Sequence, residues 1–244
     1  MFGIVAAGLA ATVLVRAETL TLVAGADSTI FSESGSDANG QGDSVFAGTT
    51  RNGDIRRALL WFDVAAALPA GATVDSVTLG VRVSRSNASN KAFALHLALS
   101  DWGEGPSVGG GGAGVAALPG DSTWTHAFLP GVTWTTAGGD FASTASATAV
   151  FAGNFPEFNL FTGGTLAADV QGWLAAPGEN HGWFLRGDEV GTQTAYRFDS
   201  SESATVAFRP TLTIQYTPIP EPSAYAVAAG VAALGGVLVA RRRR

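Results

Sequence analysis

Val74-Asp75-Ser76-Val77-Thr78-Leu79-Gly80-Val81-Arg82-Val83 alternates apolar and polar residues, and from Val77 onward every second side chain is a large aliphatic one. A period of two puts Val77, Leu79, Val81 and Val83 on one face of a half-buried strand, the signature of an antiparallel sheet with one face on a core. The same pattern recurs outward from this stretch. Upstream, Thr19 to Val23 alternates, with Leu20 and Leu22 against Thr19 and Thr21. Ala58 to Val64 is apolar on both faces until Asp63, and Pro69-Ala70-Gly71-Ala72 makes a turn. Downstream, Phe93, Leu95, Leu97 and Leu99 share one face, with Ala92, Ala94, His96 and Ala98 opposite. Gly182 to Arg186, Ala195 to Phe198 and Thr211 to Tyr216 complete the strands read from sequence. One helix interrupts: Leu166, Val170, Trp173 and Leu174 recur at helical spacing until Pro177-Gly178 ends the run. Residues 105–120, with Gly109 to Gly112, are expected to form a flexible insertion. The expectation is one all-β domain, a jelly-roll-like antiparallel β-sandwich with one short helix at a sandwich edge or end.

Composition fits that class. The chain has 244 residues, 46% of them hydrophobic, with 32 Gly and a single lysine, Lys91. It has no Cys, which excludes disulfides, thiolate zinc sites and Cys nucleophiles. The net charge of −6 conceals an asymmetry, since four of the 14 basic residues are Arg241 to Arg244. Residues 18–217 hold 19 acidic and 9 basic residues, a balance of −10. Such a domain has no electrostatic footprint for nucleic acid and favours cations, or neutral ligands held by aromatic and amide groups.

The two ends read differently from the middle. Phe2 to Val15 is an apolar run, and Val15-Arg16-Ala17 offers a small-residue cleavage pattern before Glu18, so residues 1–17 read as a secretory signal peptide. Near the other end, Pro218-Ile219-Pro220-Glu221-Pro222 continues neither a helix nor a central strand. Ser223 to Ala240 follows without a charge, and at a rise of about 1.5 Å per residue it reaches about 27 Å, enough for a bilayer core. Arg241, Arg242, Arg243 and Arg244 then fix the C-terminus on the cytoplasmic side and residues 18–217 outside. Residues 218–244, with Pro220-Glu221-Pro222, the apolar helix 223–240 and the Arg tail in that order, resemble the PEP-CTERM sorting signal. That resemblance implies a Gram-negative host, passage through the secretion translocon and processing by an exosortase. The helix would then be an inner-membrane anchor held only until transfer to the cell surface or extracellular matrix.

The middle region carries a second resemblance. Ala26-Asp27-Ser28-Thr29-Ile30, Arg56-Arg57-Ala58-Leu59-Leu60-Trp61-Phe62-Asp63 and Leu68-Pro69-Ala70-Gly71-Ala72-Thr73-Val74 come first. Asp101-Trp102-Gly103-Glu104-Gly105, Val132-Thr133-Trp134, Asp169-Val170-Gln171-Gly172-Trp173-Leu174, Ser200-Ser201-Glu202-Ser203 and Arg209-Pro210-Thr211-Leu212 follow. In order and spacing these resemble the DNRLRE family of β-sandwich domains, although the six-letter string naming that family is absent. The resemblance implies a secreted or surface protein with a carbohydrate-binding role, since some members bind acidic polysaccharides.

The residues themselves offer little for catalysis. No Gly-x-Ser-x-Gly elbow, His-Glu-x-x-His motif or Asp-x-Asp-x-Asp-Gly loop occurs. His96, among alanines, reads as a surface or barely buried imidazole, and Asp188-Glu189 as a solvated turn rather than a glycosidase pair. Calcium is the one cofactor considered: Asp37, Asn39 and Asp43 crowd a Gly-rich loop, against the preferred reading of a turn whose side chains bond their own backbone. For polysaccharide, Trp102, Trp124, Trp134 and Trp183 lie near Gly- or Thr-rich segments, where an indole face stacks on a sugar ring. Trp61 and Trp173 read as core. Arg56, Arg57 and Arg197 suit uronate carboxylates, or else pair with internal acids such as Asp63 or Glu202. The expectation is a non-enzymatic exported protein that associates with extracellular polysaccharide, with Trp102, Trp134, Arg56 and Arg57 as ligand residues. Alternatives are a structural surface or biofilm protein without a discrete ligand, and a polysaccharide hydrolase or lyase.

Overall fold

The computed structural model describes residues 16–219. The export segment before Arg16, and Pro220, Glu221, Pro222, the helix 223–240 and Arg241 to Arg244, lie outside the described residues. Among the described residues no helix is long and apolar enough to cross a membrane. Strands dominate, and every pairing is antiparallel.

The first half holds β1 (Glu18–Val23), β2 (Ala26–Phe31), β3 (Asp37–Asn39), β4 (Ser44–Thr49), β5 (Ile55–Trp61), the short helix α1 (Val64–Ala67), β6 (Thr73–Ser86) and β7 (Lys91–Leu97). The second half holds β8 (Val115–Ala116), β9 (His126–Phe128), β10 (Val132–Thr133), β11 (Ala147–Phe151), β12 (Glu157–Thr162), α2 (Leu166–Ala175), β13 (Trp183–Arg186), β14 (Tyr196–Asp199) and β15 (Thr211–Thr217).

The strand that decides the fold from sequence is also the longest in it. β6 pairs along one side with β15 over Thr73–Gly80 and then with β14 over Val83–Ser86, while β12 pairs along its other side. β1 closes the outside of β15, with Glu18 opposite Tyr216. The second sheet runs β8-β3-β2-β5-β13-β7-β11. β4 joins the two sheets. Its first four residues pair with β14, and Gly48 and Thr49 pair with Arg56 and Ile55 of β5. The corner falls on Gly48, at φ +112°, where an added Cβ would stand 2.8 Å from the Thr194 carbonyl oxygen. That conformation and that proximity both demand glycine.

Val77, Leu79, Val81 and Val83 are buried as the alternation requires, facing Leu60, Phe93, Leu95, Trp183 and Leu185 of the second sheet in one inter-sheet core. The second sheet is also buried on its outer face. Ile30, Leu59 and Phe184 pack there beneath the long connection from Ala98 to Ser146, which contributes Trp102, Ala127 and Trp134. This double burial explains why Ala58 to Leu60 is apolar on both faces. α2 closes one end of the sandwich and touches both sheets. Gln171 accepts the Val74 N–H at 2.8 Å, and Asp169 accepts the Trp183 indole N–H at 2.9 Å.

The structure amends several boundaries. β5 ends at Trp61, and Asp63 caps α1 by accepting the Ala66 N–H at 3.1 Å. β7 ends at Leu97, so Leu99 is exposed rather than aligned with Phe93 and Leu95. Residues 105–120 are no loose insertion. Asp121, fully buried, accepts the N–H groups of Ser107 (3.2 Å) and Leu118 (2.6 Å), and β8 pairs with β3. The glycine run is pinned at Gly109, whose N–H donates to Asn39 Oδ1 at 2.7 Å. A buried carboxylate just past the segment thus orders residues whose composition suggests flexibility.

Candidate functional site

The four residues expected to meet a ligand are committed elsewhere. Trp102 and Trp134 are 8% and 5% exposed. Their indole N–H groups donate to the carbonyls of His181 and Thr123, both at 2.8 Å, and Trp134 packs edge-on against Phe184. Their faces belong to the outer core, so sugar stacking on them gives way to packing. Arg56 is buried, ion-paired with Glu33, and donates to the Gly112 carbonyl at 2.7 Å. Arg57 holds Glu189 with two bonds of 2.8 and 2.9 Å, donates to the Gly138 carbonyl at 2.6 Å and lies over the Trp124 ring. The internal acids are therefore Glu33 and Glu189, not Asp63 or Glu202.

Other candidates resolve in the same way. Asp188 pairs with Lys91 at 3.4 Å, while Glu189 is clamped by Arg57 and Arg186. Burial alone would raise the Glu189 carboxyl. Hydrogen bonds and charge from the two arginines outweigh it and hold the group at about 2. His96 is buried, its Nδ1 lies 2.8 Å from the Ala142 carbonyl, and desolvation lowers its pKa, so the ring is a neutral structural group. Trp183 is fully buried against Trp173. In the loop considered for calcium, Asn39 bonds Gly109 and the Ser44 carbonyl, and Asp43 accepts the Ser44 hydroxyl. Only the Asn39–Ser44 bond is the local side-chain-to-backbone contact of a polar turn; Asn39 Oδ1 instead reaches the distant Gly109.

Three of the four basic residues without an ion pair share one place. Of the nine basic residues between 18 and 217, Arg56, Arg57, Arg82, Lys91 and Arg186 pair with carboxylates. Arg51, Arg85 and Arg197 make no ion pair among the described residues, and all three line one open groove of about 510 Å³. Arg56, Asn87 and Gln193 also line it, and no Asp or Glu does.

A local irregularity builds this groove. Strict alternation from Val81 and Val83 would turn Arg85 inward. The β6–β14 register shifts between Arg197 and Phe198, so Phe198 opposes Val83 in the core while Arg197 opposes Arg85. Ser84 is the extra residue. Its hydroxyl accepts from Arg197 Nε at 2.9 Å and donates to the Arg197 carbonyl at 3.3 Å. A bulge of this kind re-aims a side chain. Here it brings two unneutralised guanidinium groups to one cross-strand position, an arrangement that is unfavourable without an anion. Sequence reading singled out Arg197 but missed Arg85, because only the bulge brings the two together.

A second cleft, about 520 Å³, lies between α2 and the end of β7 and includes Asp169, Glu179 and His181. Asp169 already serves the Trp183 indole. Compared with protein-family models and with curated proteins, the chain matches none.

Proposed function

We propose that this is an exported, exosortase-processed surface or matrix protein whose sandwich holds acidic polysaccharide without chemical turnover. The arginine groove carries the ligand part of this reading. It gathers three unpaired guanidinium groups on a domain of net charge −10, with no carboxylate in its lining. Arginine forks donate two parallel bonds to a uronate carboxylate, and Asn87 and Gln193 supply amides for hydroxyls. The mechanism moves from the aromatic stacking expected on Trp102 and Trp134 to guanidinium recognition. Export, membrane anchoring and exosortase processing rest on the sequence at the two ends. The jelly-roll type and the kinship with DNRLRE domains are part of the same proposal; the kinship rests on the sequence motifs, and the jelly-roll type on two packed antiparallel sheets.

The placement of the groove suits a tethered binder. The chain leaves the sandwich at the end of β15, where Thr217 pairs with Thr73, the first residue of β6. Arg85 lies twelve residues along the same strand, about 40 Å away at a strand rise of about 3.3 Å. Attachment through the C-terminal side at one end and a groove at the other leave the groove free for polymer.

The test is binding of the full chain, in detergent, to polygalacturonate, alginate and a neutral glucan. Saturable uronate binding that weakens as salt is raised, with none to the glucan, is the expected result. Binding to none of them, or turnover of any of them, overturns the reading, and absence of binding favours a structural matrix protein. For the sorting signal, replacing Pro220, Glu221 and Pro222 with alanine in an exosortase-bearing host should leave the chain in the inner membrane. Normal surface delivery of that variant overturns the processing step.

A further inference from the structure

Asp27 opens the buried part of β2 and is wholly enclosed. Its Oδ2 accepts the Ser201 N–H at 2.6 Å, whereas Oδ1 has no partner. Two more carboxylates lie beside it. Glu104 Oε1 accepts the Asp27 backbone N–H at 2.9 Å. Glu202 Oε1 accepts the Ser201 hydroxyl at 2.8 Å, and its Oε2 is buried without a partner. These residues come from three distant segments, and a fourth closes over them. The Gly40 N–H donates to Ser107 Oγ at 3.1 Å, and Ser200 Oγ donates to the Gly42 carbonyl at 2.7 Å. A Cβ on Gly40 would stand 1.8 Å from the Glu104 carbonyl oxygen, so only glycine lets that loop lie so close.

No cation answers this charge. None of the three carboxylates is ion-paired among the described residues. Burial first, then the charge of Glu202, pushes the Asp27 carboxyl well above its ordinary value, and the charge of Glu104 adds to the shift. Burial and Glu202 likewise raise Glu104. Buried carboxylates with orphaned oxygens are met by protons or by a bound cation. The donors are all oxygen, which selects a hard ion, and calcium takes six to eight oxygens in flexible geometry.

We propose that Asp27, Glu104 and Glu202 form a structural calcium site that fastens β2, the 103–107 segment and the end of β14 together. Among the described residues no three His, Asp or Glu side chains are gathered closely enough to hold a metal ion as they stand. The ion itself completes this site, with Asp27 Oδ1 and Glu202 Oε2 as its free donors and main-chain oxygens or water as the remainder. Its donors are not Asp37, Asn39 or Asp43, although the loop that carries them closes over the site through Gly40 and Gly42, and it stands whether or not the groove binds glycan.

The experiment uses the full chain in detergent, stripped with EGTA at neutral pH and titrated with calcium alone. Equilibrium dialysis should give one calcium per chain with Kd of about 1 mM or tighter, the range of extracellular modules. Tm should rise by about 5–10 °C at a hundredfold excess over Kd. Glu202→Gln and Asp27→Asn should each weaken calcium binding at least about tenfold, and Asp37→Asn should leave it unchanged. Tryptophan-sensitised terbium emission, displaced by calcium, gives a second readout on any variant of reduced stability. Equal Tm with calcium and with EGTA, and no bound calcium, overturns the site. So does wild-type binding by Glu202→Gln, or loss of binding in Asp37→Asn.

Discussion

Arg85 and Arg197 face each other across the β6–β14 ladder, two like charges at directly opposed positions with no carboxylate between them. Such a pair costs a few tenths of a kcal/mol or more unless an anion bridges it. Removing either charge should therefore separate binding from stability. We expect Arg85→Ala to leave the unfolding midpoint unchanged or slightly raised, while uronate affinity falls about tenfold, the loss of one charge-assisted bidentate contact. Denaturant unfolding beside a polysaccharide binding isotherm measures both. A variant that binds as wild type removes Arg85 from the site.

Glu189 sets an acid limit on the opposite side of the second sheet. Its folded value of about 2 lies below its ordinary 4.5. A depressed carboxyl contributes stability above the unfolded value and loses it as pH falls through the folded one. That contribution should be intact above pH 4.5 and disappear between there and about 2, on the order of 3 kcal/mol in all. Thermal melts across that window should show the wild type converging on Glu189→Gln, because the substitution leaves Arg57 and Arg186 without their shared partner at every pH.

Trp102→Ala and Trp134→Ala should act as core truncations. Each removes a buried indole and strands a carbonyl that accepted its N–H, so a loss of about 3–5 kcal/mol is expected for each. At temperatures where the variants remain folded, uronate affinity should stay within about twofold of wild type, well short of the tenfold loss set for Arg85→Ala. A large affinity loss in a fully folded variant would return these indoles to the ligand site.

Gly48→Ala should damage the corner where β4 changes sheets. The substitution meets both a positive φ and a backbone contact of 2.8 Å, for a cost of at least about 1–2 kcal/mol. Because Ala195 and Thr49 line the groove beside that corner, uronate affinity should fall as well. Gly53→Ala, also at positive φ but with open space around it, isolates the backbone part of the effect.

The architecture was legible where one rule acts alone. Val77 to Val83 alternate because one face meets the inter-sheet core, and Leu166, Val170 and Trp173 recur because one helical face does. β2, β4, β11 and β12 were not read as strands. Gly48 interrupts β4, and β12 exposes Phe158 and Leu160 where a polar face is expected. The indoles misled for a different reason. Gly- and Thr-rich surroundings suggest exposure, yet the connection from Ala98 to Ser146 folds back onto the second sheet and buries its own tryptophans. The groove was least legible, since alternation sends Arg85 to the wrong face and only one extra residue at Ser84 corrects it.

The path of β6 also decides how the domain bears force. One end of the strand lies beside the exit of the chain at Thr217, and the other carries Arg85. A pull between a held tail and a bound polymer therefore runs lengthwise through β15 and β6, loading their seven register pairs together in shear rather than peeling them one at a time. Loaded in this direction, the β6–β15 pairing would resist drag along β6.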